Sequence, residues 1–185
     1  MDEKSCCFIG HRDVEETDEL IARLSFEVES LIQKGVTCFI FGSRSDFNDI
    51  CHDVVTELKE KYPDIKRVAY NTRSECATLE SERAESERVS SFIFKEEVHL
   101  RGHEESITPD KMYISGKASY VERNQIMIDL SDYCIFYYDK DYAPPKKQIS
   151  KRCIGGIWTS GKSGTAIAYD YAVRKKKNLI NVFEN

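Results

Sequence analysis

"VTCFIFGSRSDFNDICHDVVTELKEKYP", residues 36–63, is the stretch whose reading decides the fold. Its first six residues are mostly β-branched or aromatic and stop at Gly42, the pattern of a buried strand. From Asp46 the pattern changes. Phe47, Ile50, Cys51, Val54 and Leu58 recur at intervals of three or four, one face of a helix, and Pro63 closes it. A strand, a glycine loop and a returning helix together make a crossover unit.

The alternation extends in both directions. "SCCFIGHR" (5–12) is an apolar run that breaks at Gly10, a buried strand with a polar tip. Residues 13–35 carry a helical face through Val14, Leu20, Ile21, Leu24, Val28, Leu31 and Ile32. Asp13 with Glu16 forms a capping-box start there, and Gly35 is a natural stop. "IKRVAY" (65–70) is a third strand, "SYVERNQIMIDLSD" (119–132) a helix and "YCIFYY" (133–138) a strand. "GTAIAYDYAVRKK" (164–176) is the last helix and "NLINVF" (178–183) the last strand. Near-continuous apolar strands joined by helices require a sheet covered on both faces. The expected fold is therefore α/β: a Rossmann-like three-layer sandwich around a mainly parallel, five-stranded sheet. One domain spans residues 1–185, with a charged surface insertion around 73–112, and there is no internal repeat.

Composition narrows the class. An apolar fraction of 41% and an aromatic fraction of 11% are those of a soluble globular protein. No run of about 18 apolar residues points to a membrane helix. "MDEKSCCFIGHR" enters a strand at once, which argues against a secretory signal. The seven cysteines contain no C-x-x-C pair, and Cys38 and Cys134 sit within strands. This is reduced usage, and the expected location is cytoplasmic. Residues 144–177 carry nine Lys or Arg and one acid, against a net charge of -5. Such a region could draw a phosphorylated ligand or nucleic acid. The stronger reading of the "RKKK" run (174–177) is that it complements a helix C-terminus.

In open parallel sheets ligands bind beyond the carboxyl ends of the strands, where strand order reverses. That rule selects Gly10-His11-Arg12, Gly42-Ser43-Arg44, Asn71-Thr72-Arg73, and Asp139 with the loop after it. Arginine suits phosphate, and glycine admits close backbone approach.

Residues 156–163, "GIWTSGKS", match the phosphate-loop pattern G-x-x-x-x-G-K-[ST] letter for letter. The context rejects that reading: "PPKKQISKRCIGG" is a poor strand, and "NLINVF" brings no acid for magnesium. A second reading survives. Ser163-Gly164-Thr165 opens the last helix, whose free amides and dipole face an anion, with Lys162 nearby. A plain Ser/Thr cap is the alternative.

With these motifs placed, the chain resembles the SLOG superfamily, named for the Smf/DprA and LOG proteins, and within it the YpsA-like branch of unknown function. The likeness rests on "CCFIGHR", "FGSRSDFNDIC", "YVERNQIMIDLSDYCIFYYD" and "SGTAIAYDYA…KKKNLINVF". It implies a Rossmann-like sheet that binds nucleotides or nucleotide-derived molecules such as ADP-ribose. Gly10, His11 and Arg12 match the family's first loop, and Gly42 and Ser43 its second, with Arg44 beside them. Asp46 falls near the acidic position after that loop. Arg123 and Asn124 match its Arg-Asn pair, and Ser163, Gly164 and Thr165 its phosphate turn, where Ser163 replaces a frequent glycine. The likeness alone implies a homodimer. The LOG branch removes a base from a nucleotide and carries a glutamate shortly after Gly-Thr; Ile167 and Ala168 stand there instead.

Individual residues keep two readings each. His11 is a ligand contact or a loop histidine, and Arg123 a phosphate ligand or a surface ion pair. Asn124 bonds a ribose or holds a loop, and Tyr113 and Tyr120 stack on a base or pack. His99 and His103 have helical metal spacing, but Gly102 and the absence of H-E-x-x-H argue against a metal. Cys6 and Cys7 read as core, and Trp158 as a lid or loop anchor. Three functions are compatible with these residues. The first is a nucleotide-ligand binder, with a sensor or regulator as its natural role, requiring no cofactor. The second is a nucleotide N-glycosidase. The third, nucleic-acid binding through 144–177, is disfavoured by the acidic total.

Overall fold

The computed structural model describes residues 3–42, 45–72, 102–107, 117–142 and 163–183. In chain order these form β1 (Lys4–Gly10), α1 (Asp18–Gln33), β2 (Val36–Phe41), α2 (Asp46–Lys61), β3 (Lys66–Tyr70) and β4 (Glu105–Ile107). They continue with α3 (Lys117–Leu130), β5 (Tyr133–Tyr137), α4 (Gly164–Arg174) and β6 (Asn178–Asn181). The strands make one sheet in the order β4-β3-β2-β1-β5-β6, and every pairing is parallel. This is the expected Rossmann-like α/β architecture with one strand more than the five read from the sequence.

Strand alternation sorts the core into two layers. Cys6 and Phe8 of β1 face α1 and α2, packing with Leu24, Val28, Leu31, Phe47 and Val54. Cys7 and Ile9 face α3 and α4, packing with Met127, Ile128, Ala168 and Ala172. Phe8 stacks on Phe41 with centroids 4.9 Å apart, and each buried aromatic contributes about 1.5–3 kcal/mol by leaving water. Cys6, Cys7, Cys51 and Cys134 are free thiols within this core, as their neighbours in sequence indicated. The first two helices cover one face and the last two the other. The reversal falls between β1 and β5, so their C-terminal ends flank the crevice where such sheets place ligands.

One local expectation is corrected. Helix α1 starts at Asp18, capped by Thr17, whose Oγ1 accepts from the Leu20 amide at 3.2 Å. The Asp13–Glu16 box does not form. The Val14 amide instead donates to Asp46 Oδ2 at 3.1 Å, drawing the preceding segment against the start of α2. Strand β4 lies in the region expected to be a surface insertion. Its register is fixed just before it, where the Arg67 amide donates to Glu104 Oε2 at 2.6 Å and the Glu104 amide to the Arg67 carbonyl at 2.9 Å. The Arg67 guanidinium adds a 2.7 Å ion pair to Glu104 Oε1.

The basic run after α4 is folded onto its neighbours. Lys175 pairs with Asp129 at 2.9 Å, and Lys177 Nζ donates to the carbonyls of Asp129 and Ser131. Among the described residues no helix is long and apolar enough to cross a membrane.

Candidate functional site

Gly10 ends β1, and the structure gives a reason for its lack of a side chain that differs from ligand approach. A Cβ at Gly10 would lie 2.4 Å from Phe47 Cδ1, so the ring that anchors α2 occupies that space. The Gly10 carbonyl accepts a hydrogen bond from Thr165 Oγ1 at 2.8 Å, which ties the first turn of α4 to the tip of β1. Thr165 is 6% exposed. Ser163 caps α4, its Oγ accepting from the Ala166 amide at 3.1 Å. The amides of Gly164 and Thr165 are then the donors that the helix itself does not use. Gly164 is exposed, with no described atom within 4 Å of where its Cβ would be.

His11 follows Ile9 by two, so alternation turns it toward the face that carries α4. Its ring is 2% exposed. Nε2 accepts the Asp139 amide at 3.1 Å, which leaves the proton of the neutral ring on Nδ1. Nδ1 is buried and has no hydrogen-bond partner among the described residues. Burial pushes the ring below the ordinary histidine value, with the Asp139 carboxylate pulling the other way. Tyr142 stacks on the imidazole with centroids 3.8 Å apart, and Tyr138, beside it, stacks on Tyr169 of α4 at 4.5 Å. Asp139 Oδ1 accepts from the Asp141 amide at 2.8 Å, an Asx turn that folds Tyr142 back over His11.

The second glycine corner is built differently. Gly42 faces α3: a Cβ there would meet Met127 Sδ at 2.4 Å and Arg123 Nε at 3.0 Å. Arg123 is 1% exposed, its guanidinium 5.1 Å from the Tyr120 ring centroid. It is therefore buried beside Gly42 and not on the helix surface. Tyr120 meets that guanidinium. Asn48, not singled out by sequence, holds the same corner: its Oδ1 accepts from the Gly42 amide at 3.4 Å and its Nδ2 reaches Ser45 Oγ at 3.1 Å.

The candidates thus fall into two groups. Gly10, His11 and Thr165 meet at the β1–β5 crevice with Ser163 and Gly164 beside them, whereas Gly42 and Arg123 meet against α3. Arg12 is exposed, and its carbonyl accepts from the Asp46 amide at 2.9 Å. Asp46 itself, through Val14, fastens the first loop to α2. Asn124 is half-buried on α3. Ser43, Arg44, Tyr113, Trp158, Lys162, His99 and most of the phosphate-loop match lie outside the described residues. His103 packs against Phe41 and His52, and no group of three metal-ligating side chains occurs among the described residues. Tyr142 is not singled out by sequence reading; the signal that could have found it is the Asp139-x-Asp141-Tyr142 turn pattern.

The family model described as the YspA SLOG family (YpsA) matches residues 9–154, in agreement with the likeness carried by the motifs. The match takes in the first loop, the second loop and the α3–β5 segment, and ends before Ser163. No curated protein matches the chain.

Proposed function

The chain belongs to the YspA SLOG family, and on that premise we propose that it binds a nucleotide or nucleotide-derived small molecule, of the ADP-ribose kind, at the β1–β5 crevice. One observation carries the reading: a histidine 2% exposed keeps a ring nitrogen unpartnered among the described residues, beside a helix start tied to the same strand tip. A buried polar atom without a partner is costly, by about 1–3 kcal/mol, and persists where a ligand satisfies it. The amides of Gly164 and Thr165 supply donors for a phosphate or pyrophosphate, with the α4 dipole behind them. Tyr142 and Tyr138 give the neighbouring aromatic surface.

Binding is favoured over turnover by α4 itself. Ala166, Ile167 and Ala168 follow Gly164-Thr165, Ala168 buried against the sheet, so no carboxylate on this turn assists departure of a base. Nucleic-acid binding receives no support from the basic run, since Lys175 and Lys177 are engaged with the end of α3.

Calorimetric and thermal-shift titrations with AMP, ADP and ADP-ribose test the proposal. Saturable binding is expected, weakened by Arg12→Ala and Thr165→Val, with the ligand recovered intact by chromatography. If none of these compounds binds, the reading is abandoned; release of free base moves the protein to the glycosidase class.

A further inference from the structure

We infer that His11 meets the ligand as a neutral donor of fixed tautomer, so that the group lodged at the β1 tip is a hydrogen-bond acceptor read through Nδ1–H. This rests on the binding reading above and specifies which chemistry occupies one point of the site. Three observations lead to it. The Asp139 amide donates to Nε2 at 3.1 Å, and a backbone N–H has no other role to offer, so Nε2 carries a lone pair. Nδ1 must then bear the proton, and it is buried with no partner among the described residues. Finally, Tyr142 stacks on the ring at 3.8 Å and prevents it from turning over to exchange the two nitrogens.

The consequence is a selection rule. A phosphoryl, carboxylate or ribose oxygen completes the bond, whereas an ammonium or amide N–H placed there opposes another N–H. The rule also sets the response to acid. Protonating Nε2 sets two N–H groups against each other and breaks the Asp139 bond. Among the described residues, the ionisable groups next to the ring are the Asp139 carboxylate and the rings of Tyr137, Tyr138 and Tyr142, all from β5 and the turn after it. Burial of the imidazole lowers its pKa and outweighs the opposing pull of Asp139. The neutral ring therefore prevails at pH 7 and gives way on acidification below the ordinary histidine range.

The test separates the two nitrogens. His11→Gln places an amide oxygen near Nε2 and keeps the Asp139 bond, but offers no donor at Nδ1. His11→Asn places an amide nitrogen near Nδ1 and gives up the Asp139 bond. ADP-ribose is the probe, because its pyrophosphate does not titrate near neutral pH; inorganic pyrophosphate is the second probe. Affinity is expected to fall roughly ten- to hundredfold in His11→Gln, with thermal stability retained. It should fall less in His11→Asn, with stability reduced. Nitrogen-15 NMR of the free wild-type ring should report Nδ1 protonated and Nε2 bare. A ring protonated on Nε2, or probe binding untouched by His11→Gln, overturns the inference while the binding reading stands. If neither probe binds wild type, both fall together.

Discussion

Thr165 Oγ1 and the Gly10 carbonyl, 2.8 Å apart, join the last helix to the first strand across almost the whole chain. The bond sets where the amino end of α4 sits relative to the strand tip, so it governs both stability and ligand geometry. Thr165→Val keeps the shape and removes the donor. The loss is expected to be about 1–2 kcal/mol, since a buried carbonyl loses its partner, whereas Thr165→Ser retains most of it. Urea denaturation of the three proteins measures this, and ADP-ribose titration should show weaker binding by Thr165→Val alone. Equal stability of Val and wild type would mean that the bond does not hold α4 in place.

Gly10→Ala tests the packing account of the first glycine. Its φ is not positive, so strain comes from the Phe47 side chain, whose Cβ, Cγ and Cδ1 lie 2.4–2.8 Å from the added methyl. Overpacking of this kind is expected to cost about 1–3 kcal/mol. Phe47→Ala removes the two nearest atoms, Cδ1 and Cγ, and in the same background should recover part of the loss, making the two changes non-additive. Additive effects in thermal denaturation would show that the two residues do not compete for the same space.

Much of this fold is legible in residue spacing, and the exceptions share a cause. Phe47, Ile50 and Val54 recur with helical period because α2 buries one face, and β1 and β2 read as strands because both faces are covered. Strand β4 is illegible: Glu105-Ser106-Ile107 has no apolar run, and its place is set by Arg67, distant in sequence, gripping Glu104 just before the strand. The α1 start escapes a local reading because Asp13 and Glu16 satisfy a capping rule that the distant Asp46 carboxylate overrides. At the candidate site, His11 is visible as a polar residue at a strand tip. Its pairing with Asp139 and Tyr142 is not, because those contacts exist only once β1 and β5 are neighbours.

The Arg67–Glu104 pair gives β4 a pH signature. Partial burial pushes the Glu104 carboxyl up, but the hydrogen bonds and charge of Arg67, with Lys59, outweigh it and bring the group down to about 2. A carboxylate depressed below its unfolded value of about 4.3 stabilises the fold above that pH. The contribution is lost as pH falls toward 2. Because the side chain is 31% exposed, solvent screening reduces it to about 1 kcal/mol. Glu104→Gln should therefore be less stable than wild type at pH 7, with the gap narrowing from pH 4.5 downward. A gap constant over that window, followed by urea denaturation, would show that the charge is not what pins β4.

The carboxyl end of α4 supplies a stabilising change remote from the crevice. The Lys177 amide bonds to the Ala172 carbonyl at 3.2 Å and the Lys176 amide to the Val173 carbonyl at 3.0 Å, the two bonds of a Schellman ending. The residue in the left-handed position is Lys176, with φ 55, where glycine carries no steric penalty. Helix α1 ends with Gly35 in that role at φ 88. Relief of the Lys176 strain, about 1–2 kcal/mol, exceeds the entropy that glycine adds to the unfolded chain, about 0.5–1 kcal/mol. Lys176→Gly is thus expected to stabilise by about 0.5–1 kcal/mol. The control is Lys34→Gly: Lys34 has φ -83, so glycine there adds entropy and relieves nothing. Denaturation midpoints should move in opposite directions for the two variants. Loss of stability in both would show that the strain at Lys176 is smaller than the entropy that glycine introduces.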